Sequence, residues 1–300
     1  MGWMTGNGPL GKQPAGDFNF AAPPPGRTIY LEPTPKRIRV EVGGEVIADS
    51  RHAFILHESG LQPIYYFPPG DVRTDVLTPT DRHTHCPKKG DASYYTIIAG
   101  GETVDSGAWY YPEPLPEAPF LKDLIAFYFD RMGRWLEEGE VIGVHPRDPY
   151  HRIDVVRTDR HIRVALDGQL LAETDRALAL FESNLPPRWY IPHEDVVSEL
   201  EPSDTVTRCP YKGTAAYYSV KRAGGDDGAP AAGGNGGASA WGKDLIWYYE
   251  EPLPEVGRIA GLHCFFNEKV DIELDGELQQ RPESPWSQKV KSVPVTPAGH

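Results

Sequence analysis

The residues Ile38-Arg39-Val40-Glu41-Val42 alternate between apolar and charged, and Gly43-Gly44 follows at once. Alternation with period two marks a strand with one buried face, and a glycine pair supplies the positive φ angles of a tight hairpin. Similar runs recur at 53–58, 64–67, 93–98 and 108–111, each bounded by Gly, Pro or Asp. Helical periodicity is scarce. Asp71-Val72-Arg73-Thr74-Asp75-Val76-Leu77 suits two helical turns with Asp71 capping the N-terminus, Asp195 repeats that cap, and 120–129 suits another short helix. The pattern predicts a mainly β chain built from small antiparallel β domains with one or two short helices each.

The chain is written twice. Residues 38–72 laid over 162–196 match in 15 of 35 columns, among them Gly44/Gly168, Glu58/Glu182, Tyr66/Tyr190 and Asp71/Asp195. Average composition gives roughly two matches by chance. Cys86-Pro87-Lys88-Lys89-Gly90 then matches Cys209-Pro210-Tyr211-Lys212-Gly213, and the pair Tyr94-Tyr95 matches Tyr217-Tyr218. Trp109-Tyr110-Tyr111-Pro112-Glu113-Pro114-Leu115-Pro116-Glu117 matches Trp247-Tyr248-Tyr249-Glu250-Glu251-Pro252-Leu253-Pro254-Glu255. Self-similarity on this scale means two copies of one domain in tandem. Arg152-Ile153-Asp154-Val155-Val156 and residues 270–276 read as the closing strands of the two copies. The expected plan is a flexible arm (1–36), unit 1 (37–158), unit 2 (159–280) with a flexible Gly/Ala/Asp insertion (223–240), and a flexible tail (281–300).

Composition narrows the function classes. The formal net charge of −13 argues against nucleic acid as a partner, since phosphate neutralisation needs a basic face. No apolar run is long enough to cross a bilayer, so no membrane partner is expected. The N-terminus lacks a secretory signal, and Gly6 breaks the myristoylation pattern. Three cysteines exclude a disulfide scaffold and point to a reducing, cytoplasmic setting. Nothing in the composition sets the oligomeric state.

The motifs have a family signature. Ala48-Asp49-Ser50, His57-Glu58-Ser59, the run 66–72, the Cys-Pro-x-Lys-Gly turn with its Tyr-Tyr strand, and the Trp109–Glu117 segment resemble the DUF427 family, in tandem over nearly all of 37–277. The resemblance implies small β-rich domains with a tent-like pair of sheets. It carries a nucleotidyltransferase label and no defined biochemical role. That label calls for converging carboxylates on Mg²⁺ and a phosphate-cradling loop. The sequence has no GxxxxGK[ST] loop, and its densest carboxylate spacing is Asp271, Glu273 and Asp275 on one face of a strand.

The candidate chemistry is repeated in both copies. Glu58 and Glu182 end apolar strands, where a carboxylate serves as general acid or base, or as ion-pair partner of the turn lysine. Lys89 and Lys212 sit between a Cys-Pro entrance and a Tyr-Tyr strand, as electrostatic partners for an anionic group. These four are the candidate catalytic residues. Tyr66, Tyr190, Trp109, Trp247, Cys86 and Cys209 are the candidate ligand-binding residues, lining an aromatic cleft or packing as core. His83-Thr84-His85-Cys86 has zinc-like spacing, yet no second ligand pair follows and copy two lacks both histidines, so no metal site is expected. The leading reading is a binding protein for a small organic molecule that needs no cofactor, with or without acid–base chemistry. Two others stand beside it: a nucleotide binder or nucleotidyltransferase using Mg²⁺, and a non-catalytic interaction module.

Overall fold

The computed structural model describes residues 28–223 and 241–284, with 16, 17 and 19. The chain divides into two compact units between His151 and Arg152. In chain order, unit 1 contains β1 (Ile29–Pro33), β2 (Ile38–Val42), β3 (Glu45–Ser50), β4 (Phe54–Glu58), β5 (Ile64–Phe67) and β6 (Leu77–Cys86). It continues with β7 (Gly90–Ala99), β8 (Glu102–Tyr110), β9 (Ile125–Phe127), β10 (Arg134–Glu137) and β11 (Glu140–Ile142). A seven-stranded antiparallel sheet runs β1-β4-β5-β9-β8-β7-β6, and a four-stranded one runs β11-β10-β2-β3.

Unit 2 repeats the plan. Its strands are β12 (Ile153–Arg157), β13 (Ile162–Leu166), β14 (Gln169–Thr174), β15 (Leu178–Glu182), β16 (Arg188–Ile191) and β17 (Leu200–Cys209). β18 (Gly213–Val220), β19 (Ile246–Tyr248), β20 (His263–Phe265), β21 (Asp271–Leu274) and β22 (Glu277–Leu278) complete it. The sheets run β12-β15-β16-β20-β19-β18-β17 and β14-β13-β21-β22.

Strand alternation divides the apolar residues of each unit between two cores. In unit 1, Val40, Ile55, Tyr65, Phe67, Phe127 and Trp135 fill the space between the sheets. Leu56, Tyr66, Tyr94, Trp109 and Tyr128 pack on the other face of the large sheet, under Ala118, Leu121 and Leu124. Unit 2 divides in the same way, with Trp189, Ile191 and Ile272 between its sheets and Tyr190, Trp247 and Cys264 on the outer face. Hairpin tips meet closely in unit 1. A Cβ placed on Gly100 (φ +56°) would lie 2.1 Å from the carbonyl oxygen of Gly43, so this approach requires glycine.

The chain departs from the sequence reading in several places. Residues 71–77 form two separate 3₁₀ turns, Pro69–Asp71 and Thr74–Val76, rather than one helix. Val72 between them is extended, buried, and bridged to Ala48, a tertiary contact that overrides local helical preference. Neither aspartate caps a helix: Asp71 accepts from Ser50 Oγ at 2.6 Å, and Asp195 from Thr174 Oγ1 at 2.6 Å. Residues 120–129 hold the central strand β9, with 3₁₀ turns at Pro119–Leu121 and Phe129–Arg131. Ile125, Ala126 and Phe127 are all buried on the two faces of the sheet, which only an extended backbone achieves.

Residues 153–157 do not close unit 1. They pair with β15 exactly where Ile29–Pro33 pairs with β4, so they open unit 2, and 29–36 belongs to unit 1 rather than to an arm. The true closing strand of unit 1 is β10, paired with β2 as β21 is paired with β13. At the other end Arg281 binds Asp271 at 2.8 Å, which ties the start of the expected tail to unit 2. Apart from 16, 17, 19, 28, 223 and 282–284, the remaining arm, insertion and tail positions lie outside the described residues.

Candidate functional site

Glu58 ends β4 on the same side as Phe54 and Leu56, so strand alternation places it against the outer-face aromatic core. Opposite lies the turn after β6. The backbone N–H of Lys89 donates to Cys86 at 3.2 Å, Gly90 adopts φ +103°, and Leu115 N–H donates to the Lys89 carbonyl at 2.9 Å. In unit 2, Leu253 N–H holds the Lys212 carbonyl at 3.0 Å, and Gly213 sits at φ +101°. The Pro-Leu-Pro segment is thus a clamp that fixes the lysine turn in both units.

The clamp directs each lysine onto its glutamate. Lys89 Nζ donates to Glu58 Oε2 at 2.5 Å, with side-chain exposures of 7% and 4%. Lys88 Nζ, a quarter exposed, donates to the other oxygen at 3.0 Å. In unit 2, Lys212 and Glu182 meet at 2.5 Å, at 10% and 5% exposure. Burial raises the Glu58 pKa, but the charge and hydrogen bond of Lys89, joined by Lys88, outweigh it and hold the carboxyl below its ordinary value. Burial lowers the Lys89 pKa, yet Tyr66 and Glu58 bring it above the usual lysine value. At neutral pH the pair is therefore ionic.

The aromatic candidates frame this pair as packed walls. Tyr66 and Tyr190 are fully buried, and Trp109 and Trp247 are nearly so. Trp109 Nε1–H donates to Tyr66 Oη at 3.3 Å, and Trp247 Nε1–H to Tyr190 Oη at 3.2 Å. Burial raises the hydroxyl pKa of Tyr66, Tyr190, Tyr111 and Tyr249, so all four stay protonated hydrogen-bonding groups. All three cysteines are free. Cys86 is buried, Cys209 half-buried, and Cys264 is held as an inert thiol because burial pushes it up to about 12.

The histidines and carboxylates with ligand-like spacing already have partners. His85 Nδ1 lies 2.7 Å from Asp91, and His83 Nδ1 lies 3.2 Å from Ser93 Oγ on an exposed strand. Asp271 is held by Arg281, Glu273 by Arg163, and Asp275 by the backbone of His161. Those carboxylates do not fit a Mg²⁺ cradle. Among the described residues, no group of three His, Cys, Asp or Glu converges as ligands.

Residues 30–138 and 154–276 each match the model of a domain of unknown function, DUF427. The chain belongs to the DUF427 family. None of the curated proteins compared with it matches. No helix of the described residues is long and apolar enough to cross a membrane.

Two features of the second DUF427 unit have no repeated counterpart and escaped the sequence reading. Arg188, buried on β16, forms a two-pronged contact with Glu268 at 2.8 and 2.7 Å. Its one signal is a charge inside the apolar run Pro187-Arg188-Trp189-Tyr190-Ile191. His263 is buried in a three-ring cluster with Tyr218 and Tyr248, its centroid 5.4 and 5.5 Å from theirs, with Nε2 3.4 Å from His193 Nδ1. Burial, with help from His193, pushes its pKa down to about 4, below the ordinary value of about 6.5. The native state favours neutral His263, so this stability is complete above about pH 6.5 and is lost as pH falls toward about 4. Thermal unfolding scanned across that window will show a melting temperature that falls with acidification. His263→Phe keeps the ring cluster and flattens the slope; an unchanged slope refutes the assignment. His145 of unit 1, likewise pushed down to about 4 by burial, leaves a residual slope.

Proposed function

We propose that this DUF427 protein binds a small organic molecule, using the Lys–Glu pair of each unit as the polar anchor. The observation that carries this reading is the pair itself: a lysine and a glutamate each exposed to a tenth or less, twice, on a sheet face rich in aromatic rings. Burying such a pair gains little or no stability over an apolar pair of similar size, so stability alone is a poor reason to hold it twice. Buried, perturbed charges beside ordered hydrogen-bonding tyrosines are a common feature of binding sites.

The charge states favour binding over acid–base catalysis. Glu58 is held ionised and Lys89 protonated, so neither exchanges a proton readily near neutrality. Unit 1 adds the partly exposed Lys88, which gives its cluster two cations against one carboxylate and a preference for an anionic group.

A thermal-shift panel on the full chain tests this, using small organic acids and nucleotides with and without Mg²⁺. Binding to the native state raises the melting temperature by mass action. The expected result is a shift with an organic acid, without Mg²⁺, that Lys88→Ala diminishes while the unliganded melting temperature stays put. A shift seen only with nucleotide and Mg²⁺, or no shift across the panel, overturns the reading.

A further inference from the structure

The two units are finished differently at one edge. In unit 1 the chain beyond β11 lies back over β1 and β4, on the face they share with Ile55. Arg147 N–H donates to Glu137 Oε1 at 3.1 Å, and Asp148 Oδ1 lies 3.9 Å from His57 Nδ1. Tyr150 Oη donates to Glu32 Oε2 at 2.9 Å, and its ring meets that of His57 edge-on, with centroids 5.4 Å apart. Under this cover His57 is buried.

Register identifies the residues of unit 2 that stand in the covered places. Tyr30 pairs with His57 and Glu32 with Ile55, as Asp154 pairs with Phe181 and Val156 with Ala179. Glu137 lies opposite Ile38, as Leu274 lies opposite Ile162. Val156, Phe181 and Leu274 therefore replace Glu32, His57 and Glu137. All three line a groove of about 470 Å³, together with Trp189 and Ile272. Phe181 is 45% exposed and Val156 42%. Where unit 1 offers polar partners to a polar strap, unit 2 offers an apolar surface, which calls for an apolar cover.

The sequence carries such a cover in the matching place. Asp148-Pro149-Tyr150 begins nine residues after Gly139, and Ser284-Pro285-Trp286 begins eight after Gly276. The tyrosine that reaches Glu32 is thus matched by an indole where Glu32 itself has become valine. The chain is also led to the spot. Arg281 and Pro282 line the groove, and Ser284 Oγ donates to Glu268, whose neighbour Asn267 lines it too. Glu268 in turn holds Arg188, which pairs with Leu180 beside Phe181. Pro285 and Trp286 come next, beyond the described residues, and two residues span up to about 7 Å.

We propose that this groove of unit 2 is the docking surface of the chain's own C-terminal segment, with Trp286 lying over Phe181 and Val156 as Tyr150 lies over His57 and Glu32 in unit 1. The contact buries apolar surface on both sides and needs no charged partner.

Fluorine NMR of the full chain labelled with 5-fluorotryptophan tests this, with Trp286→Phe and Trp247→Phe identifying two of the resonances. The Trp286 signal is expected away from the position of free 5-fluorotryptophan and without the solvent isotope shift of an exposed ring. Phe181→Ser returns it to the free position and leaves the Trp247 signal in place, which shows that unit 2 is still folded. A Trp286 signal at the free position in the native chain, or one that Phe181→Ser does not move, overturns the proposal. So does a signal that reverts to the free position on about twentyfold dilution, because mass action then makes the docked segment that of a second copy.

Discussion

Lys89→Met is expected to destabilise unit 1 by about 3–5 kcal/mol, because it strands a buried carboxylate. Glu58 is 4% exposed at its side chain, so water cannot replace the ammonium at 2.5 Å. Lys88 stays within 3.0 Å of the other carboxylate oxygen, which places the unit 1 loss toward the lower end of that range. Unit 2 carries Tyr211 at the Lys88 position, so Lys212→Met falls toward the upper end. The decisive variant is Glu58→Leu/Lys89→Met. With both charges removed, apolar side chains sit against Leu56 and Trp109, and most of the loss returns. Chemical denaturation of the single and double variants gives the coupling energy. If the double variant is as unstable as the sum of the singles, the pair is not the interaction described. The pH dependence has a definite sign. Because the Glu58 pKa is depressed in the folded state, its contribution is present above the unfolded value of about 4.3 and is lost as pH falls through the lower folded value. The double variant lacks that acid limb.

Much of this architecture is legible in the chain, and the illegible parts share a cause. Alternation at 38–42 and the double glycine after it define a hairpin locally, and the repeat extends that inference to unit 2. The lysine turn and its glutamate are legible as candidates because both copies carry them. Their pairing is not, since it is closed by the backbone of Leu115 and Leu253, far along the chain. Strand β12 shows the limit most clearly. Ile153-Asp154-Val155-Val156 has the alternation of any edge strand, and only its partner β15 reveals which unit it serves. The Glu138-Gly139-Glu140 and Asp275-Gly276-Glu277 turns carry the better signal, because they align β10 with β21. That alignment sets Trp135 against Ile272, an equivalence that a misplaced closing strand hides. Arg188 and Glu268 were invisible for another reason: neither is repeated, and they join a strand to a loop across 80 positions.

Arg188→Met is expected to destabilise unit 2 by about 3–5 kcal/mol at neutral pH, and, as for the Lys89 pair, the loss will lessen toward acid. Arg188 and Glu268 have side-chain exposures of 6% and 1%, and Ser284 Oγ also donates to the carboxylate. The guanidinium lies 5.3 Å from the Trp247 ring centroid, so the variant also loses a cation–π contact. In the native chain, burial pushes the Glu268 pKa up, but the hydrogen bonds and charge of Arg188 hold it below the ordinary value. Without Arg188 the burial effect prevails, and the carboxyl titrates above its unfolded value. A group raised on folding gains stability as pH falls, because the folded state then binds the extra proton. The deficit of Arg188→Met relative to the native chain will therefore shrink on acidification from about pH 7 to about pH 5. Arg188→Lys restores the charge but not the planar fork, and recovers only part of the loss. Denaturant midpoints at the two pH values decide the matter: a deficit that holds constant or widens toward acid would mean that Glu268 finds water or another cation, and that the fork does not carry the stability of this strand.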